Sequence, residues 1–148
     1  GLVAVCDIAI SVKIVDFCLS EVRLGLAPAT ISPYVIRALG ARASQRYFLT
    51  AETFDAKKAR QLGFVHERVN EDSLTDTVAQ LCAKIVNNSP DAVKTCKRLL
   101  HDIAGETITD ELIADTVKEI ADIRSSKQGK EGVQAFLQQR KPNWLVTE

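Results

Sequence analysis

From Ala4 to Ser20 the apolar residues come in short, β-branched pieces, Ile8-Ala9-Ile10, then Ile14-Val15 and Phe17, broken by Lys13 and Asp16. This spacing predicts two short strands, and a helical tail before the first fits as well. After Glu21 the chain turns to loop composition, Leu24-Gly-Leu-Ala-Pro-Ala-Thr. Ser32-Pro33 then reads as an N-cap followed by proline in a first helical turn. A helix to about Leu39, closed by Gly40, follows. A second is predicted from Ala41 to Leu49, and a third from Asp55 to Leu62, with Gly63 in the C′ position. Phe64 to Val69 has the composition of a strand.

Beyond that point the period changes to that of amphipathic helices. Ser73 with Asp76 approximates a capping box, and the helix behind it carries Leu74, Val78, Leu81, Cys82 and Ile85 on one stripe. Ser89-Pro90 starts another, with Val93, Cys96, Leu99, Leu100 and Ile103 as its apolar face and Gly105 at its end. A helix from about Asp110 to Arg124 groups Ile113, Val117, Ile120 and Ala121; a last one from about Gln128 to Gln139 groups Val133, Phe136 and Leu137. Pro142 to Glu148 reads as a tail. Strands cluster early and helices late, and most of the chain reads as helix.

Composition narrows the reading. With 148 residues, 46% of them hydrophobic, the chain is long enough for one compact domain and too short for two independent ones. The 19 Lys+Arg balance the 19 Asp+Glu, so net charge gives no reason to expect a nucleic-acid partner. Cys6, Cys18, Cys82 and Cys96 lie far apart, without C-x-x-C or histidine at metal-ligand spacing, and are expected to be buried thiols. No apolar run reaches the roughly 20 residues of a membrane span, so a reducing, soluble compartment and no membrane partner are expected. The chain has no Met, and Gly1 leads straight into Leu2-Val3-Ala4-Val5 without a capping residue, which reads as a piece of something longer.

Candidate chemistry centres on Ser20-Glu21-Val22-Arg23, at the end of a predicted strand and before a Gly/Pro/Ala loop. Such loops are where scaffolds present reactive groups. A carboxylate shielded there by Phe17, Leu24 and Leu26 could act as a general acid or base. On local pattern alone, a surface glutamate paired with Arg23 or with solvent is the commoner arrangement. His66 and His101 lack partners and are expected to be structural. Arg140-Lys141 could bind a phosphate, although a solvated basic tail is commoner; Trp144 beside them is expected first in a core, then in a subunit contact, then as a stacking surface. No G-x-S-x-G, G-x-G-x-x-G or P-loop occurs.

Four longer motifs add what local patterns leave open. Gly1-Leu-Val-Ala-Val-Cys-Asp-Ile-Ala-Ile, Phe17-Cys-Leu-Ser-Glu21-Val-Arg-Leu-Gly25-Leu-Ala-Pro28, Leu49-Thr-Ala through Gly63-Phe-Val65, and Glu131-Gly-Val-Gln-Ala-Phe136-Leu-Gln-Gln-Arg-Lys-Pro142 stand in order along nearly the whole chain. They resemble, in turn, a segment ending in Cys-Asp, an F-x-x-x-E-x-x-x-G-x-x-P run, an L-T-G stretch followed by A-x-x-A and G-L-V, and an E-G-x-x-A-F-x-E-K-R-x-P terminus. Together they resemble the carboxyl-terminal half of the enoyl-CoA hydratase/isomerase (crotonase) family.

The resemblance implies an α/β fold, mostly helical in this chain: a β-β-α spiral whose last part is residues 1–70, and a helical oligomerisation region, 71–148, that builds homotrimers, often paired into hexamers. It implies an acyl-CoA thioester substrate and no separate cofactor, CoA being part of the substrate. The thioester oxygen would be held by two backbone N–H groups, both in upstream sequence or at its border by Gly1. Glu21 would be the catalytic carboxylate, and Ser20, Leu24 and Ala29 would line the acyl pocket. Hydratases of the family usually use two glutamates; the first falls on Gly1. A lysine placed near the CoA phosphates falls on Gln139, so such a contact would pass to Arg140 or Lys141. The usual glycine-rich run after the proline is replaced by Ala29-Thr-Ile-Ser-Pro-Tyr-Val.

The S-E-V-R-x-G-L-A-P-A run is most similar to hydratases of 3-methylglutaconyl-CoA or geranyl type. Hydration of an enoyl-CoA, in a bacterial cytoplasm or a mitochondrial matrix, is therefore the leading expectation. A Δ3,Δ2-enoyl-CoA isomerase and a truncated, non-catalytic assembly module are the alternatives.

Overall fold

The computed structural model describes residues 1–145. The elements run α1 (Leu2–Val5), β1 (Ile10–Val12), β2 (Asp16–Phe17), a 3₁₀ turn (Glu21–Leu24), α2 (Ser32–Leu39), α3 (Ala41–Thr50), β3 (Phe54–Asp55), α4 (Ala56–Gln61) and β4 (Glu67–Val69). A second 3₁₀ turn (Glu71–Ser73) leads into α5 (Leu74–Val86), α6 (Pro90–Ile103), α7 (Asp110–Ser125), α8 (Lys127–Leu137) and a closing 3₁₀ turn (Asn143–Leu145). The α/β class holds. Residues 146–148 of the expected tail lie outside the described residues. Among the described residues, no helix is long and apolar enough to cross a membrane.

The chain divides into two compact units, Gly1–Ala79 and Gln80–Glu148. In the first, β1 pairs in parallel with β4, Ser11 opposite Arg68, and β2 pairs antiparallel with β3, Phe17 opposite Phe54. Two-stranded pieces are marginal alone, and an aromatic core supports these. Phe54 lies against Tyr47 at 4.3 Å between ring centroids and against Phe17 at 5.5 Å, with Phe64 edge-on to Phe17 at 5.4 Å. Such offset and edge-to-face pairs add about 1 kcal/mol each beyond the area they bury. Leu19, Val35, Leu39, Ala59 and Val65 complete the buried cluster.

Caps fix the starts of α4 and α6. Asp55 caps α4 by accepting from the Lys58 N–H at 2.7 Å, and Gly63 beyond it takes φ +75°. Ser89 caps α6 by accepting from the Ala92 N–H at 3.2 Å, with Pro90 in the first turn. Three expectations change. Ser32 is not an N-cap: it starts α2, Ile31 holds the cap position, and the Ser32 hydroxyl donates to the Ala29 carbonyl at 2.9 Å. Ser73 makes no capping box; a 3₁₀ turn precedes α5 instead. The strand expected over Phe64 to Val69 is confined to Glu67–Val69, because the Phe64 and Val65 N–H groups donate back to the Ala59 carbonyl within α4.

The second unit is made of amphipathic helices. Among its described residues Ala135 is the buried apolar side chain, while Val117, Ile120, Phe136 and Leu137 stand exposed. All four cysteines are exposed, not buried as expected. Cys82 and Cys96 lie on the predicted apolar stripes, which are only partly covered in this chain: Leu81, Val93 and Leu99 are half-buried, whereas Ile85 and Leu100 are exposed. Cys6 and Cys18 have their thiols turned to the Leu2 and Ala51 carbonyls at 3.2 and 3.3 Å.

Candidate active site

β2 ends at Phe17, and three residues of connecting chain bring the backbone to the 3₁₀ turn that begins with Glu21. Ser20 precedes it, exposed and in helical conformation, and Gly25 closes it at φ +71°, a conformation that favours glycine. The Leu26 N–H returns to the Glu21 carbonyl at 3.1 Å. Glu21 is thus held on a tight turn and not at a strand end.

Its side chain is half-buried, and Oε2 is buried without a hydrogen-bond partner among the described residues. The surface pairing with Arg23 is not formed. Arg23 Nη2 donates instead to the Ala51 carbonyl at 2.6 Å, the same oxygen that accepts the Cys18 thiol. A buried carboxylate oxygen without a donor is costly, and a catalytic role is one reason for a fold to keep such a group. The expected shield is only partly present: Phe17 belongs to the aromatic cluster, whereas Leu24 and Leu26 are exposed.

Ala51 is the site residue that sequence reasoning missed. It ends α3 at φ +51°, turning its carbonyl toward both Cys18 and Arg23. A signal existed, since the L-T-G stretch that Leu49-Thr-Ala51 resembles has glycine at this place. A left-handed backbone is what glycine adopts without strain.

Next to this segment lies an apolar cavity of about 80 Å³, bordered by Gly1, Phe17, Cys18, Leu19, Val35 and Phe64. Ala29 is exposed, its N–H donating to the Ala27 carbonyl at 2.7 Å. Among the described residues no cluster of His, Cys, Asp and Glu could hold a metal. His66 is tied to Ala9: its Nδ1 accepts from the Ala9 N–H at 3.1 Å, and the His66 backbone N–H donates to the Ala9 carbonyl at 2.7 Å. His101 is exposed beside Asp102.

In the second unit, Arg140 is already committed. Its guanidinium grips Glu131 through two bonds, Nη1 to Oε1 at 2.6 Å and Nη2 to Oε2 at 2.9 Å, and also reaches the Gln138 side chain and the Lys141 carbonyl. Arg140 and the Asn143 N–H together hold the Glu131 carboxyl at about 2, below its ordinary 4.5. Lys141 is exposed. Trp144 packs its ring on Gly132, so close that a Cβ there would lie 3.0 Å from the ring edge.

The family model for enoyl-CoA hydratase/isomerase matches residues 1–146. The chain belongs to the enoyl-CoA hydratase/isomerase family. It is 31% identical over 145 residues to the mevalonyl-coenzyme A hydratase sidH of Aspergillus fumigatus, covering 97% of this chain and 54% of that protein. Among solved structures it is similar to an enoyl-CoA hydratase from Shewanella pealeana, with 44% identity, a TM-score of 0.93, and 97% and 54% of the two chains covered. Pseudomonas aeruginosa AtuE matches with 33% identity and a TM-score of 0.91 over 99% of this chain and 57% of that one. The fold is that of the crotonases, and the chain spans about half the length of the curated relatives it matches.

Proposed function

We propose that the protein carrying this chain adds water across the double bond of an α,β-unsaturated acyl-CoA thioester, with Glu21 moving the proton. The observation that carries this reading is the half-buried Glu21, whose Oε2 has no partner among the described residues, in a chain of the hydratase/isomerase family. Water oxygen bonds to C3 as Glu21 takes its proton. The double-bond electrons move to the thioester oxygen, and the Glu21 carboxyl returns a proton to C2, so one water is added overall. Two backbone N–H groups, in the upstream sequence or bordering Gly1, hold the thioester oxygen while charge develops on it. CoA is part of the substrate, and no other cofactor is needed.

Ser20, Leu24 and Ala29 line the acyl pocket in this proposal, and the exposed Leu24 and Leu26 suit an apolar acyl group. The names of relatives such as mevalonyl-coenzyme A hydratase and 2,3-dehydroadipyl-CoA hydratase support the thioester class. The acyl groups proposed are the branched ones of leucine or isoprenoid breakdown. Lys141 is the better candidate for the CoA phosphates, since Arg140 is held by Glu131. The exposed apolar stripes of the second unit support assembly into homotrimers or hexamers. The proposed location is a bacterial cytoplasm, or a mitochondrial matrix.

One observation favours a second reading. A Δ3,Δ2-enoyl-CoA isomerase needs a single carboxylate to carry a proton between C2 and C4, and Gly1 supplies none. The longer motif around Glu21 gives hydration the greater weight. The test is turnover of 2-enoyl-CoA and 3-enoyl-CoA by the full-length protein and its Glu21→Gln variant. Loss of roughly a hundredfold or more is expected; unchanged turnover on both substrates removes Glu21 from the chemistry.

A further inference from the structure

Leu19 before the Glu21 turn and Pro28 after it are buried, but residues 20–27 between them contribute no buried side chain. Backbone bonds give the turn its shape: the Arg23 N–H donates to the Ser20 carbonyl at 3.0 Å, the Gly25 N–H to Val22 at 3.3 Å and the Leu26 N–H to Glu21 at 3.1 Å. These bonds all close within the turn, so they do not decide where it sits. Among the described residues, the hydrogen bond that ties residues 20–27 to a distant part of the chain runs from Arg23 Nη2 to the Ala51 carbonyl at 2.6 Å.

Ala51 is a firm anchor. It is buried, its N–H donates to the Tyr47 carbonyl at 3.2 Å, and the Tyr47 ring packs on Phe54 in the aromatic core. On its other side Glu52 accepts from Arg46 Nε at 2.6 Å, and the Glu52 N–H donates to Thr50 Oγ1 at 3.1 Å. The Cys18 thiol reaches the same Ala51 oxygen at 3.3 Å, so residues on both sides of Glu21 in the chain converge on one carbonyl. A thiol is a weak donor, and the charged guanidinium makes the stronger of the two bonds.

We propose that Arg23 is a positioning residue for Glu21: its bond to the Ala51 carbonyl pins the turn that carries Glu21 to the end of α3. This rests on the acid–base reading of Glu21. A general acid or base works only within hydrogen-bond reach of the proton it moves, and a displacement of about 1 Å costs on the order of a hundredfold in rate. A turn whose own side chains are not buried, with Leu24 and Leu26 exposed, keeps that reach only if a contact outside it fixes its place. Arg23 supplies that contact and itself touches no reacting atom.

The test uses the full-length protein, its Arg23→Ala, Arg23→Lys and Glu21→Gln variants, and Arg23→Ala combined with Glu21→Gln. Arg23→Ala is expected to lower kcat on 2-enoyl-CoA roughly tenfold or more with KM within about twofold, because a misplaced acid–base group costs turnover and not binding. Arg23→Lys keeps a cationic donor on a long stem and is expected to restore most of that loss. Beside Glu21→Gln, Arg23→Ala is expected to cost nothing further, as for residues that act as a unit. Deuterium exchange across residues 20–27 is expected to be roughly tenfold faster in Arg23→Ala, the worth of a bond from a charged donor, and unchanged in α2 and α4. Equal kcat losses from Arg23→Ala with and without Glu21 overturn the proposal, as does exchange that is unchanged in the turn or faster throughout the chain. Recovery of Arg23→Ala by free ethylguanidinium also overturns it, since an untethered cation supplies charge but cannot hold the turn. If instead Glu21→Gln turns over normally, the acid–base reading fails, and the exchange measurement still decides whether Arg23 holds the turn.

Discussion

In Gly1–Ala79 the apolar side chains close on one another: Phe17, Tyr47, Phe54 and Phe64 meet ring to ring, and Leu19, Val35, Leu39 and Val65 fill the space around them. In Gln80–Glu148 equally regular apolar stripes stay open, with Leu100, Ile120 and Phe136 at 72, 62 and 82% exposure. The contrast separates two things that an amphipathic pattern is often taken to say together. The pattern fixes which helix face is apolar; it does not say what covers that face. The first unit supplies its own cover. The second rests on caps, ion pairs and whatever meets its stripes, the assembly contacts proposed above being one such cover.

The largest effect that tests this contrast is in the aromatic cluster. Phe54→Ala is expected to cost about 3–5 kcal/mol, because it removes a ring that three others touch. Phe136→Ala, measured at concentrations where the protein is dispersed, is expected within about 0.5 kcal/mol of the natural chain. Urea unfolding of both variants at several protein concentrations is the measurement. A Phe136→Ala loss as large as that of Phe54→Ala at every concentration would break the comparison, since Phe136 would then be covered within the chain itself.

The same contrast explains what was legible in the sequence. Elements marked by local chemistry were readable, because the decisive contact lies within a few residues: Asp55 to Lys58, Ser89 to Ala92, Gly63 after α4. Glu21 was readable as a candidate from its place before the Gly/Pro/Ala loop, but its local pattern favoured a surface pairing with Arg23 that the fold replaces with Ala51, and only the longer motif turned the preference toward catalysis. That replacement joins residues 28 positions apart, and no local spacing encodes it. The cysteine expectation failed for a related reason: Cys82 and Cys96 sit on apolar stripes, and burial of a stripe depends on a partner surface.

A smaller effect tests how far the second unit depends on its caps. Ser89 Oγ accepts the Ala92 N–H and donates to Gln128 Oε1 at 2.6 Å, and that same oxygen receives the Asp91 N–H at 3.0 Å. One serine thus ties the start of α6 to α8. Ser89→Ala is expected to cost about 1 kcal/mol, and Ser89→Asn, which can still cap, less. If both variants unfold with the natural chain, this end of α6 is held by something other than its cap.

The smallest effect is set by acid and belongs to Glu131. Its carboxylate carries two Arg140 bonds and the Asn143 N–H, and the turn it holds places Trp144 on Gly132. Exposed ion pairs contribute modestly, so the sign of the pH dependence is the informative part. The folded carboxyl titrates at about 2, below the ordinary 4.5, so as pH falls the unfolded chain takes up this proton first. The contribution is full above pH 4.5 and fades as pH drops toward 2. Trp144 is the chain's one tryptophan, so its fluorescence during unfolding reports on this turn directly. The stability gap between the natural chain and Arg140→Gln, followed by that signal, is expected to be constant from pH 7 to about 5 and to narrow below 4.5. A gap that persists unchanged at pH 3 would mean that Arg140 acts through packing against Gln138 and the Lys141 carbonyl, and the second unit would then depend less on charge than its exposed stripes suggest.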